Sequence, residues 1–246
     1  MNDIEQYAKQ LKLANTKNNY KVIIEEAINK QYSYEDFLRL VLKDEVTIRN
    51  QNSVNHRIRA ARFPYVRTFE ELDYNAFSLD IANRIRQLQD LEFINQGRNV
   101  ILIGNPGVGK THTAIALGIK ACKEGKTVLY ITVPNLITEL KESMTLNQLT
   151  NYKKKFINYD LVILDELGYI TFDKQGSELF FNLLSMRNDT KSIVITSNLP
   201  FSKWNEIFND QVLTTAMVDR LTCKAHVFNI KGDSYRIKET KKWLEN

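Results

Sequence analysis

The sequence predicts an α/β protein in which a parallel five-stranded sheet flanked by helices follows a small all-helical N-terminal domain. Three observations predict it. After Gly97, five short β-rich apolar runs alternate with helical segments, the pattern of strand–helix units. Those runs are apolar almost throughout rather than at every second residue, so both faces of each strand are buried and the sheet is parallel. Before Gly97, apolar residues recur at helical spacing instead. The 246 residues suit one large domain with a smaller appendage. The expected boundaries are 1–65 for the helical domain, 66–97 for a connector and helix, and 98–246 for the sheet domain.

Each element has its own signal. Ile4, Ala8 and Leu11, then Val22, Ile23 and Ala27, then Phe37, Leu38, Val41 and Leu42 each mark an apolar helix face. Ser33-Tyr34-Glu35-Asp36 reads as a capping box opening the longest of these helices. That helix is expected to run through Arg57-Ile58-Arg59-Ala60-Ala61-Arg62 and to end at Pro64. Residues 63–80 read as a loosely structured connector and 81–93 as one more helix. The strands are expected at 100–103, 128–131, 161–164, 193–196 and 227–230, with a helix opening at about Lys110. The polar stretch 145–155 reads either as an exposed loop or as a short helix, and a short helix ends near Arg220.

Composition narrows the class. With 43% hydrophobic and 26% charged residues, 9 Gly and 4 Pro, the chain is neither collagen-like nor largely disordered. The net charge of +5 is an average over local patches and does not by itself select a partner. Cys122 and Cys223 form no CxxC pair, so neither a disulfide framework nor a zinc ribbon is expected; both read as reduced core residues of a cytoplasmic protein. The polar, acidic start has no signal-peptide pattern, and no apolar run approaches the roughly 20 residues of a membrane helix. His56 and His112 have no metal-ligand spacing, and Trp204 and Trp243 read as packing residues rather than base-stacking platforms.

The most specific signal is Gly104-Asn105-Pro106-Gly107-Val108-Gly109-Lys110-Thr111, a complete GxxxxGK[ST] phosphate loop between a strand and a helix. Its glycines let successive N–H groups point inward at phosphates, and the helix N-terminus adds positive potential. Lys110 would reach β- and γ-phosphate oxygens, and the Thr111 hydroxyl would ligate Mg²⁺. A second apolar strand ends in Asp165-Glu166, at the edge of a parallel sheet where ligands bind. Asp165 there can hold the Mg²⁺ shell, and Glu166 can polarise an attacking water, which points to hydrolysis more than to a kinase. Thr196-Ser197-Asn198 ends a further strand, where the Asn198 amide can bond both γ-phosphate and water; asparagine is also common at strand ends. Arg220 is either an arginine offered to a neighbouring subunit's γ-phosphate or the local partner of Asp219. Gly232-Asp233-Ser234-Tyr235-Arg236 holds a second arginine, a phosphate sensor or a surface turn.

With these residues the chain resembles the AAA+ ATPases of the additional-strand type, and within them the IstB/DnaC-like group, most closely the IstB transposition helper family of bacterial insertion sequences. The resemblance is carried by Ala60-Ala61-Arg62-Phe63-Pro64, Thr68-Phe69-Glu70-Glu71-Leu72-Asp73, the phosphate loop extended by His112, Leu164-Asp165-Glu166-Leu167-Gly168-Tyr169, Thr196-Ser197-Asn198-Leu199-Pro200-Phe201, Trp204, Asp219-Arg220-Leu221 and Gly232 to Arg236. It spans nearly the whole length. It implies a P-loop NTPase fold using ATP and Mg²⁺, ATP-dependent self-assembly on duplex DNA, target-site preparation and stimulation of the transposase of the same element. It also implies Lys110, Thr111 and Asp165 as nucleotide and Mg²⁺ residues, with His112 beside them. Glu166 becomes the catalytic carboxylate, Asn198 the first sensor and Arg220 a finger acting in trans, while Arg236 matches a recurring position. One departure stands out: 26 residues follow Arg220, too few for the usual multi-helix C-terminal lid.

Two basic segments are candidates for DNA. Residues 37–67 hold seven arginines and lysines, among them Arg49, Arg57, Arg59 and Arg62, against two acids. Such helices track phosphates with little sequence preference, or else form a solvated face packed on the ATPase core. Lys153-Lys154-Lys155 is the second. A DnaC-type helicase loader is the alternative within the class; a non-hydrolysing DNA-binding scaffold and a small-molecule kinase are the alternatives outside it. Glu166 argues against the scaffold, and no substrate lid supports the kinase.

Overall fold

The computed structural model describes residues 3–187 and 190–244, without the side chains of residues 236, 238, 239, 241 and 242. It divides into two units, Met1–His56 and Arg57–Asn246. The first is helical: α1 (Asp3–Gln10), α2 (Ala14–Asn29) and most of α3 (Tyr34–Ala60). Ser33 caps α3 by accepting a hydrogen bond from the Asp36 N–H at 3.2 Å. The preceding Leu13 cannot cap α2, and Glu45 of α3 replaces it: its buried Oε2 accepts from the Asn15 and Thr16 N–H groups, both at 3.0 Å. Ala8, Tyr20 and Ile23 are buried in this unit, whereas Leu11, Val22, Leu38 and Leu42, expected on apolar faces, are each more than half exposed.

Helix α3 stops at Ala60, two residues short of the expected end. Arg62 takes left-handed φ 64° ahead of Pro64, so the chain reverses before the proline. The connector is not loose. It forms 3₁₀ turns at Phe69–Glu71 and Tyr74–Ala76, and it buries Phe69, Leu72 and Phe77 in the core. Nor do residues 81–93 form one helix. Helix α4 (Leu79–Gln87) gives way to a 3₁₀ turn, Leu91 turns left-handed at φ 59°, and α5 (Glu92–Asn95) follows. The Asp90 carboxylate accepts the Glu92 N–H at 2.9 Å, a local bond that competes with the helical ladder.

The sheet contains β1 (Val100–Gly104), β2 (Val128–Thr132), β3 (Leu161–Leu167), β4 (Ser192–Ser197) and β5 (His226–Ile230), in the order β2-β3-β4-β1-β5. Every pairing is parallel. Alternate side chains enter two separate cores, as the period of two requires. Val100, Leu102, Ile163 and Val194 face α6 (Lys110–Lys123), α4 and the connector. Ile101, Ile103, Val162 and Ile195 face α7 (Val133–Thr145), α9 (Lys174–Ser185) and α11 (Gln211–Thr222). The polar stretch before β3 is a short helix, α8 (Leu149–Asn158). The remaining helices are α10 (Asn205–Phe208) and α12 (Tyr235–Leu244).

Arg187 is wholly buried and closes the end of α8. It donates to the Phe156 and Tyr159 carbonyls at 2.8 and 2.9 Å and to Ser192 at 2.9 Å, and burial lowers its pKa to about 10. Cys122 is buried, and burial pushes its thiol up to about 11. Cys223, expected in the core, is exposed because the chain leaves α11 there. Trp204 is fully buried as expected; Trp243, expected to pack, is 77% exposed near the end of α12. Among the described residues no helix is long and apolar enough to cross a membrane.

Candidate functional site

The carboxyl edge of the sheet gathers the ends of β1, β3 and β4. Residues 104–109 leave β1 as a loop whose Gly107 and Gly109 take φ 81° and 94°, values that suit glycine. A Cβ at Gly107 would collide with the Ser234 hydroxyl, and one at Gly104 with the Ile230 carbonyl. Lys110 opens α6, and its buried ammonium donates to the Gly104 and Asn105 carbonyls at 2.7 and 2.8 Å. The lysine is thus held across the mouth of its own loop.

Asp165, 2% exposed, is the centre of a hydroxyl network. Its Oδ1 accepts from Thr111 at 3.0 Å and, at shorter range, from Thr196; its Oδ2 accepts from Tyr130 at 2.6 Å. Burial first, and the Asp165 charge second, push the Tyr130 phenol far above its ordinary range, so it stays a donor. Thr196 also accepts the Glu166 N–H at 3.1 Å. Glu166 is left-handed at φ 67°, and the β3–β4 register slips between Leu164 and Leu167. This bulge is what turns the Glu166 side chain out while Asp165 stays in. Asn198, just past β4, has a buried Oδ1 without a hydrogen-bond partner among the described residues. It lies over Gly168, where a Cβ would strike it.

Lys110, Thr111, Glu166, Thr196 and Asn198 meet at one cavity of about 520 Å³, lined by them and the phosphate loop on one side and by connector residues such as Leu72, Ala76 and Phe77 on the other. That volume suits a nucleotide-sized ligand. A neighbouring cavity of about 420 Å³ reaches Asp165 and Glu166 from the β2 side, past Tyr130, Arg62 and Glu139. Thr111 and Asp165 offer hard oxygen donors one hydrogen bond apart at the loop. This set fits Mg²⁺, which takes one or two protein oxygens together with phosphates. Among the described residues no three His, Cys, Asp or Glu side chains form a metal cage.

Other expected residues fall elsewhere. His112 lines the cavity, but its Nε2 is 2.8 Å from the Thr68 carbonyl and ties α6 to the connector. Arg236 lies in the first turn of α12, whose start is bound to the loop through Tyr235 N–H and the Gly107 carbonyl at 2.9 Å; its side chain lies outside the described residues. Arg220 is not at this cavity. It donates to Ser185 and covers the Phe181 ring at 4.7 Å, beside Asn99 and Ile193 at the amino edge of the sheet. Arg57 is half-buried and donates to the Cys122 carbonyl at 2.8 Å, and Arg62 pairs with Glu139 at 3.0 Å. Arg49 donates to the Lys12 carbonyl at 3.2 Å, and Arg59 is exposed. Lys154 and Lys155 are exposed and Lys153 is half-buried on α8. Sequence reasoning missed Tyr130, hidden inside an apolar run, and the double role of Thr196, which depends on neighbouring strands.

A family profile described as IstB-like ATP binding protein matches residues 6–243. A Pseudomonas aeruginosa protein named as the ATP-binding protein of insertion sequence IS21 is 39% identical over 98% of this chain and 91% of its own length. Its Geobacillus stearothermophilus counterpart, named for insertion sequence IS5376, is 33% identical over 96% of this chain and 94% of its own length. Among solved structures, DnaI is similar with TM-score 0.58 at 19% identity, over 72% of this chain and 93% of DnaI. AMPPCP-bound DnaA from Aquifex aeolicus is similar with TM-score 0.56 at 19% identity, over 72% of this chain and 54% of DnaA.

Proposed function

The chain belongs to the IstB-like ATP-binding proteins and is an AAA+ ATPase, and from that membership we propose that it is the ATP-dependent helper of the transposase encoded by the same insertion element. In this reading it assembles with ATP into a homo-oligomer on duplex DNA in the cytoplasm, prepares the target site and stimulates the transposase. Relatives named for insertion sequences over nearly their full length support it. Likeness to DnaC, at 21% identity, is one of fold alone and gives the helicase-loader alternative no further support.

The observation that carries the ATPase chemistry is the convergence of Lys110, Glu166, Thr196 and Asn198 on one cavity, with Asp165 directly behind. Loop N–H groups and Lys110 hold the phosphates, and the start of α6 adds its dipole. Thr111 and Asp165 hold Mg²⁺, which when bound neutralises phosphate charge. Glu166 takes the proton of the attacking water, and Asn198 aligns that water with the γ-phosphate. Arg220 acts on a neighbouring copy. Five-residue strands run roughly 17 Å, too far for an arginine at the amino edge to reach phosphates at the carboxyl edge of its own sheet. DNA contact falls to the exposed Arg49, Arg59, Lys154 and Lys155, with Arg57 and Arg62 largely committed within the protein.

The test mixes two defective variants. Lys110→Ala and Arg220→Ala should each abolish DNA-stimulated ATP turnover, and the mixture should recover part of it. An active Arg220→Ala protein, or a mixture as dead as its parts, refutes the trans finger. DNA retention with ATP that is indifferent to salt refutes the phosphate contacts.

A further inference from the structure

We propose that Tyr130 is a positioning residue for ATP turnover, acting through Asp165 by fixing the rotation of its carboxylate. The inference rests on the reading of Asp165 as the carboxylate that directs Mg²⁺. Tyr130 sits in the middle of β2, 7% exposed, and does not line the larger cavity. It reaches Asp165 from the side of the smaller one.

Carboxylate torsions of aspartate are broad and roughly two-fold, so the donors around the group decide which oxygen points where. Here the donors are unequally divided. Thr111 and Thr196 both bond Oδ1, and Tyr130 bonds Oδ2 at 2.6 Å. Without the phenol, Oδ2 loses the protein donor that fixes it. The nearest remedy is a rotation that shares a threonine hydroxyl between the two oxygens, and it turns Oδ1 away from Thr111. Tyr130 keeps the carboxylate aimed because it is itself anchored. Its N–H donates to the Ala61 carbonyl at 2.8 Å, and its ring lies 6.1 Å from that of Phe63 at a 54° tilt. Ala61 and Phe63 follow directly on the arginine-rich end of α3, so a continuous set of contacts joins that segment to Asp165.

The experiment compares the full-length wild type with Tyr130→Phe, which removes the hydroxyl and keeps the ring, and with Phe63→Leu, which loosens the ring and keeps the hydroxyl. A fluorescent ATP analogue is titrated in EDTA and then against Mg²⁺, and ATP turnover is measured on the same preparations. For Tyr130→Phe we expect unchanged binding in EDTA, a Mg²⁺ midpoint raised about tenfold, and a fall in kcat with KM for ATP little changed. Phe63→Leu, which removes only the ring anchor and keeps both the Tyr130 hydroxyl and its backbone bond to Ala61, should melt earlier and shift the midpoint far less than Tyr130→Phe. A Tyr130→Phe protein that only melts earlier, or that matches the wild type throughout, overturns the proposal. So does an equal midpoint shift in Phe63→Leu, since packing alone would then explain it. A wild type whose nucleotide binding and turnover ignore Mg²⁺ overturns the reading of Asp165 as well, which separates that failure from a failure of Tyr130 alone.

Discussion

Thr196→Val tests the junction on which the site depends. Valine matches the shape of threonine and removes only the hydroxyl, which donates to Asp165 and accepts from the Glu166 N–H at 3.1 Å. Losing a hydrogen bond to a charged group costs about 1.5 to 3 kcal/mol, and stranding a partly buried N–H about 1 kcal/mol or more. The sum is about 3 kcal/mol. In the unit Arg57–Asn246 this corresponds to a fall in melting temperature of about 6 to 12 °C. Function should suffer more than stability. Glu166 is held at φ 67°, a conformation that costs a non-glycine residue about 1 kcal/mol or more, and the Thr196 bond helps to hold it there. Once released, the carboxylate leaves its place, and kcat should fall about a hundredfold, the usual worth of a positioned base. The assays are thermal melting, nucleotide binding and steady-state turnover, with Thr196→Ser as control. The serine variant should recover most of both losses. A valine variant with wild-type melting and kcat, or a serine variant as impaired as valine, would refute the role of the hydroxyl.

Three further outcomes are expected. Glu166→Gln should bind ATP normally and lose turnover about a hundredfold or more; unchanged turnover with ATP bound would remove Glu166 from the chemistry. Arg187→Met should destabilise the protein by about 3 kcal/mol or more in melting experiments, because the buried carbonyls of Phe156, Tyr159 and Ser192 lose their donor. Asp160 should contribute acid sensitivity. Burial opposes its charge, but bonds from Lys191 and from the Thr127 backbone and hydroxyl outweigh that and hold its pKa at about 2, below the ordinary 3.8. The folded form therefore stays ionised where the unfolded chain takes up a proton. The contribution is complete above the ordinary value and is lost as pH falls towards about 2. Melting of Asp160→Asn should be flatter than wild type across that window.

Local chemistry made much of the site legible. A phosphate loop is one continuous segment, so Gly104 to Thr111 could be read without knowing what lies beside it, and the strand before it and helix after it follow from apolar periodicity. Asp165, Glu166 and Asn198 were legible for a related reason. A buried strand ending in a polar group must deliver that group to the sheet edge. The connector was harder to read. Phe69, Leu72 and Phe77 are too few and too widely separated by polar residues to mark a helix or a strand, yet all three are buried, because two three-residue 3₁₀ turns fold this segment onto the core. The helix expected over residues 81–93 ends at Gln87 and tightens into a 3₁₀ turn, and at Leu91 the chain turns left-handed, with the Glu92 N–H bonded to the Asp90 side chain instead of continuing the ladder.

The sequence by itself determined the class of ligand, the parallel sheet and the glycine-rich loop between β1 and α6, because each is encoded within a few consecutive positions. The tertiary structure alone decided the order β2-β3-β4-β1-β5, and with it every relation between strands. That order brings Thr196 of β4 and Tyr130 of β2 to opposite oxygens of Asp165 on β3. It also leaves Arg220 at the opposite edge of the sheet from the phosphate loop of its own chain. Hydrogen bonds across strands join residues 31 and 35 positions apart. No local pattern reports such pairs, since they exist only once the hydrophobic faces have chosen their neighbours.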